Sequence, residues 1–130
     1  MRTIALRLHP GHDLKHELRA LCEREDIRAG WILTCVGSLA RLRLRLAGAT
    51  DHLVRDGRFE IVSLTGTLSR HGSHLHLAAA DEQGVTVGGH LVDGCVVRTT
   101  AELVVGVADQ LVFRREPDPA TGFDELVVER

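Results

Sequence analysis

"HDLKHELRALCERED" (His12–Asp26) is where the chain changes period, and the fold reading turns on it. Leu14, Leu18, Leu21 and Cys22 recur at i, i+4, i+7 and i+8, which lays four apolar side chains along one face of a helix. Asp13 stands where a carboxylate can accept from the free N–H groups of the first turn. The spacing predicts one helix, about Asp13 to Asp26.

Everything outside that stretch reads as strand. "RTIALRL" (Arg2–Leu8) alternates, and Pro10 and Gly11 end it. Downstream, "AGWILTCVGSL" is a nearly continuous apolar run. "RLRLRLAG" alternates strictly, with Leu42, Leu44 and Leu46 inward and Arg41, Arg43 and Arg45 outward. "GRFEIVSLTGTLS", "SHLHLAAA", "VTVGGHLV", "CVVRTTAELVVGV", "QLVFRRE" and "DELVVER" follow, parted by the turn signals "SRHGS", "DEQG", "VDGC" and "PDPATG". Only Ala101 to Leu103 leaves a helical turn open. The expectation is a single α+β domain over residues 1–130, a compact, largely antiparallel sheet system carrying one main helix.

Composition excludes several function classes. A formal net charge of −2 supplies no global basic field for DNA. The cations are 15 arginines and Lys15 alone, a bias that a GC-rich genome also produces. Arginine suits bidentate recognition of carboxylate or phosphate. Arg41, Arg43 and Arg45 make a cationic row that is either a solvated strand face or a phosphate-contacting ridge. Trp31 and the three phenylalanines fall in core-like strands and form no stacking platform for bases. Cys22, Cys35 and Cys95 are odd in number, far apart and without a C-x-x-C pair, which suits a reducing compartment. "MRTIALRLHPGHD" meets proline and charge too soon for a signal peptide, and no apolar run approaches the roughly 18 residues that span a bilayer. The expectation is a cytoplasmic protein with no membrane contact. P-loop, G-x-G-x-x-G and G-x-S-x-G patterns are absent.

The chemistry-bearing stretch is "GSHLHLAAADEQGVTVGGHL" (Gly72–Leu91). His74 and His76 are i and i+2 on a strand, so both rings leave one face, their Cα atoms about 6.5–7 Å apart. Two imidazoles so placed can converge on one ion at Zn–N distances of about 2.0–2.1 Å. His90 is the candidate third ligand, and its register is open. A four-residue loop, Asp81 to Gly84, sets His90 opposite Leu75 and on the wrong face. An odd-length loop, or a bulge at Gly88-Gly89, turns it back. The alternative is that these histidines are hydrogen-bonded and packed at a subunit interface. His9, His12, His16, His52 and His71 lie at the helix start or in loops and lack ligand company. Glu60, Arg98 and Glu102 are charged groups in apolar runs. Each carboxylate either meets solvent or an arginine, or accepts a proton beside the metal.

Seven stretches in order carry a resemblance: "PGHDL" (10–14), "AGWILTCVGSL" (29–39), "GRFEIVSLTGTLS" (57–69), "HLHLAAAD" (74–81), "GGHLVDGCVV" (88–97), "TTAEL" (99–103) and "TGFDELVV" (121–128). Together they resemble the plant-and-prokaryote conserved domain, in the stand-alone bacterial form of the module found in plant AT-hook nuclear proteins. The resemblance implies a homotrimer serving self-association and partner binding. Gly57, Arg58, Phe59, Glu60 and Ile61 are similar to the segment that such proteins use for partner contact. It also implies zinc on the H-x-H segment, as in some archaeal and bacterial relatives. No R-G-R-P hook is present, so weak DNA binding or none is expected. The functional expectation is a trimeric binding or regulatory module with a histidine metal site and a small-molecule or protein partner. The fold also resembles that of acetolactate decarboxylase. The alternative is therefore a small zinc-dependent enzyme acting on a carbonyl metabolite, with Arg98 and Glu102 the nearest candidates beside the metal.

Overall fold

A computed structural model describes residues 1–130. Its elements run β1 (Arg2–Leu8), α1 (Leu14–Arg24), β2 (Gly30–Arg45), β3 (His52–Ser69), β4 (Gly72–Ala80), β5 (Thr86–Leu91), β6 (Val96–Val107), β7 (Val112–Asp118) and β8 (Phe123–Glu129). Six strands form one sheet in the order β1-β6-β2-β3-β4-β5, every neighbour antiparallel. β2 also pairs with β5 through Leu44↔Leu91 and Arg45↔His90. Strands β2 to β5 therefore close on themselves, with β6 and β1 as an extension and β7–β8 as a separate hairpin.

Closure needs strands that bend. β2 and β3 are 16 and 18 residues long, and the ladders shift register between Leu39 and Arg41 and between Ile61 and Ser63. Such irregularities increase local twist, so one long strand can serve different neighbours along its length. "AGWILTCVGSL" and the arginine-leucine repeat are thus one strand rather than two. His52, expected in a loop, opens β3, where its Nδ1 accepts from Arg43 Nε at 3.0 Å. Leu46, expected inward, lies just past the end of β2 and is 39% exposed. Ala101 to Leu103 are strand, because Ala101 and Leu103 face the core while Glu102 faces out.

Helix α1 covers one open face. Leu14, Leu18, Leu21 and Cys22 are all buried, as the spacing requires. Asp13 caps it through Oδ1, which accepts from the His16 N–H at 3.0 Å; its Oδ2 accepts from the Gly94 N–H at 2.6 Å. One carboxylate thereby satisfies an orphan donor of the first turn and ties the helix to the β5–β6 turn. Burial lifts the thiol pKa of Cys22 to about 12 and of Cys35 and Cys95 to about 11. These cysteines are packing groups rather than nucleophiles. The architecture is α+β, mostly antiparallel sheet with one short helix. No helix is long and apolar enough to cross a membrane.

Candidate metal centre

Strand alternation builds the first two members of the site. Leu75, Leu77 and Ala79 point into the core, so His74 and His76 stand on the outer face of β4. Their Nε2 atoms lie 3.1 Å apart, with ring centroids at 4.9 Å. The loop to β5 spans Asp81 to Val85, five residues rather than four, because Ala80 pairs with Thr86. Asp81 shapes it: Oδ1 accepts from the Gln83 N–H at 2.9 Å and the Val85 N–H at 3.0 Å. The odd count sets His90 directly opposite His76.

No bulge occurs at Gly88-Gly89, contrary to one of the two routes open in the sequence. Gly89 has another reason to be glycine: a Cβ there would sit 2.8 Å from the Arg45 carbonyl oxygen, where β5 meets the end of β2. The three histidines offer ligand atoms all within 4.8 Å of one another. His90 Nδ1 is buried with no hydrogen-bond partner among protein atoms. A buried ring nitrogen left unpaired is costly, and a third donor beside two converging imidazoles fits a tetrahedral ion with one position free.

A cross-strand row continues from the triad. His90 pairs with Arg45 on β2, His76 with Thr65 and His74 with Thr67 on β3. Arg115, from β7, donates from Nη2 to Thr67 Oγ1 at 2.9 Å. Arg45, Arg115, Phe123 and Glu125 line the same cleft as His74 and His90, with a volume of about 810 Å3. Periodicity placed Arg45 in the exposed row, but nothing in the sequence tied Arg115 to the histidines. Phe123, expected in the core, is 60% exposed and packs its ring 5.7 Å from the Arg45 guanidinium carbon.

Other nominated groups are elsewhere. Glu102 pairs across the ladders with Arg7 and Val36, in the β1–β6–β2 region. Arg98 is an exposed residue of the same strand, β6. Neither lines the histidine cleft, and Glu60 lies exposed on β3. Gly57, Arg58 and Glu60 are exposed while Phe59 and Ile61 are buried. Ser38, Thr99 and Thr100 bond internally: Ser38 and Thr99 hydroxyls are 2.6 Å apart, and the Thr100 hydroxyl donates to the Leu8 carbonyl at 3.3 Å.

Burial holds His90 down to about pKa 4, helped by Arg45, His74, Lys15 and His76. Burial also lowers His74, with His76, Arg115 and Arg45 acting the same way against Glu125. Both rings are therefore neutral, the ligating form, at neutral pH. In metal-free protein, the unfolded chain takes up protons on these histidines below its ordinary value of 6.5 while the fold resists. Stability is thus expected to be flat above about pH 6.5 and to fall as pH drops from there toward 4. Urea midpoints of chelator-treated protein across that window check this; a midpoint independent of pH between 6.5 and 4 contradicts it.

A model of the Plants and Prokaryotes Conserved (PCC) domain matches residues 1–109. The chain belongs to the PCC domain family. This PCC domain is 48% identical over 130 residues to bifunctional protein GlmU of Synechococcus sp. (strain JA-3-3Ab), covering 100% of this chain and 21% of that protein. The chain thus spans about a fifth of the length of the curated relatives it matches first. AT-hook motif nuclear-localized protein 8 of Arabidopsis thaliana is 28% identical over 110 residues, 78% of this chain and 28% of that protein. Among solved structures, a hypothetical protein from Salmonella enterica is 46% identical with a TM-score of 0.96, covering 98% of this chain and 93% of that one.

Proposed function

We propose that this PCC domain is a metal-dependent binding or regulatory module, in which His74, His76 and His90 hold one zinc-type divalent ion. The observation that carries the reading is the β4–β5 register, which sets His90 across from His76 and leaves its Nδ1 buried without a partner. Neutral imidazoles suit Zn2+, and three of them leave a fourth position for water or a ligand. A bound ion would polarise whatever occupies that position. The chain's own part is to fix the three rings on the outer face of two paired strands and to keep His74 and His90 unprotonated.

The module is proposed to act as a homotrimer in the cytoplasm. Exposed Leu33, Val36, Val54 and Val62 on β2 and β3 are apolar surface that self-association would cover. The enzyme alternative offered Arg98 and Glu102 as the candidates nearest in sequence, and neither lines the histidine cleft, which removes that support. Zinc loading followed by dialysis, elemental analysis and light scattering tests the proposal. One zinc per chain and a mass of three 14.2 kDa chains are expected. Near-zero zinc overturns the metal site, and a monomer mass overturns the trimer.

DNA is expected to bind weakly at most. Arg41 is held by Asp56 at 2.7 Å and Arg43 by His52, so the cationic row is partly engaged within the chain. With a net charge of −2, few phosphates can be neutralised. A gel shift at physiological salt should show nothing tighter than the roughly micromolar range of nonspecific binding. Nanomolar, salt-sensitive binding lost on joint substitution of Arg41, Arg43 and Arg45 contradicts this.

A further inference from the structure

We infer that the cleft beside the histidines is a recognition site for a small organic acid, whose carboxylate bridges the metal's open position and the guanidinium groups of Arg45 and Arg115. The inference rests on the metal reading above and adds the class of ligand.

Arg45 and Arg115 reach the triad from two different elements. Arg45 is paired with His90 across the β2–β5 ladder. Arg115 arrives on β7 and is held by Thr67, the residue opposite His74 on β3. Both arginines therefore line the cleft that His74 and His90 also line. The chain's ion pairs use Arg2, Arg19, Arg41, Arg70 and Arg114, and neither Arg45 nor Arg115 is among them. Arg115 satisfies one donor on a neutral hydroxyl, and Arg45 packs against the Phe123 ring. Guanidinium groups free of a carboxylate partner can receive the planar fork of an incoming one.

The remaining walls select the anion. Phe123 and Ala49 supply apolar surface for a carbon skeleton, and the cleft of about 810 Å3 is sized for a metabolite. Asp124 and Glu125 line the same cleft. These carboxylates oppose any anion, so it is the apolar wall that favours an organic acid over inorganic phosphate. Arg115, Phe123, Asp124 and Glu125 all belong to the β7–β8 hairpin, C-terminal to residues 1–109 that the PCC model matches. The histidines, Arg45 and Ala49 lie within the matched residues, so the cleft joins that part of the chain to the hairpin that follows it.

The hairpin is anchored well enough to position a ligand. The Phe113 N–H donates to the Arg28 carbonyl at 2.8 Å, and the Ser69 hydroxyl donates to the Phe113 carbonyl at 2.7 Å. Arg115 follows two residues later, at the junction of the hairpin and β3.

Calorimetric titration of the zinc-loaded full chain with malonate tests this, alongside the visible spectrum of the cobalt-loaded protein. Malonate is expected to bind and to shift the cobalt bands. Arg115→Gln and Arg45→Gln should each weaken malonate by about tenfold, with metal content, oligomeric mass and circular dichroism unchanged. Arg43→Gln, outside the cleft, should leave malonate affinity as in wild type. Zinc retained with no malonate binding, or with binding indifferent to both cleft arginines, overturns the inference while leaving the metal site intact. Inorganic phosphate binding as tightly as malonate overturns the choice of an organic acid. Absence of zinc from the wild type is a different failure, because it removes the metal reading itself.

Discussion

His76→Ala is expected to abolish retained zinc while leaving the protein folded. His76 is the hinge of the triad. It faces His90 across the β4–β5 ladder and lies beside His74, with Nε2 atoms 3.1 Å apart. Its removal leaves two imidazoles, short of the three protein ligands that an open zinc site uses. Loss of an orienting group around a metal costs about 10–100-fold in affinity, and loss of a ligand itself should exceed that. Dialysis should then empty the site. Folding should be spared because His76 is exposed and the ladders on both sides of β4 are backbone bonds. A stability change within about 0.5 kcal/mol is expected for an exposed position of this kind. Elemental analysis after zinc loading, with circular dichroism as control, decides it. Wild-type zinc in the variant would place the metal elsewhere, and near-zero zinc in both proteins would return the histidines to a hydrogen-bonded surface cluster.

Gly66→Ala should be the most damaging small substitution near the site. Gly66 has φ +141°, and a Cβ there would sit 1.9 Å from the His74 carbonyl oxygen and 2.9 Å from the Leu75 Cα. Both obstacles are backbone, so β4 must move. The left-handed strain alone costs on the order of 1–3 kcal/mol. Displacing a paired strand adds to it, for a total of about 3 kcal/mol or more, equivalent to roughly 10 °C in Tm. The displaced strand carries His74 and His76, so zinc affinity should fall together with stability. Gly84→Ala separates the two causes. Gly84 has φ +79° and nothing within 4 Å of a Cβ, so only strain of about 1 kcal/mol is expected there. Thermal melts of the two variants compare them directly. Equal, small losses would show that the close approach of β3 and β4 at Gly66 relaxes without cost.

The local pattern of this chain carried a large share of its structure. Spacing of Leu14, Leu18, Leu21 and Cys22 specified the one helix and its buried face, because a 3.6-residue period admits no other partner for four apolar side chains. Alternation placed Arg41 and Arg43 outward and Leu42 and Leu44 inward. It also put His74 and His76 on a common face. Those are properties of a strand by itself, readable without knowing what lies beside it. The order of the family stretches added the domain, which the match over residues 1–109 bears out.

What lay beyond that reading depends on pairing between distant strands. Whether β2 is one strand or two depends on bulges that let it serve β6 along most of its length and β5 at its end. Whether His90 joins His76 depends on one residue of loop length, since a shift of one flips every side chain to the other face. Arg115 is more than twenty residues from any of the three histidines in sequence and reaches them only because its hairpin bonds to Arg28, Thr67 and Ser69. Arg98 and Glu102, nearer in sequence to His90, are carried away by β6 to the β1 side of the sheet. Sequence by itself determined the elements, their faces and the H-x-H pair, because those follow from local backbone periodicity. Only the tertiary structure decided the third ligand and the arginines that frame it, because register and strand order are set by pairing energies summed over the whole sheet.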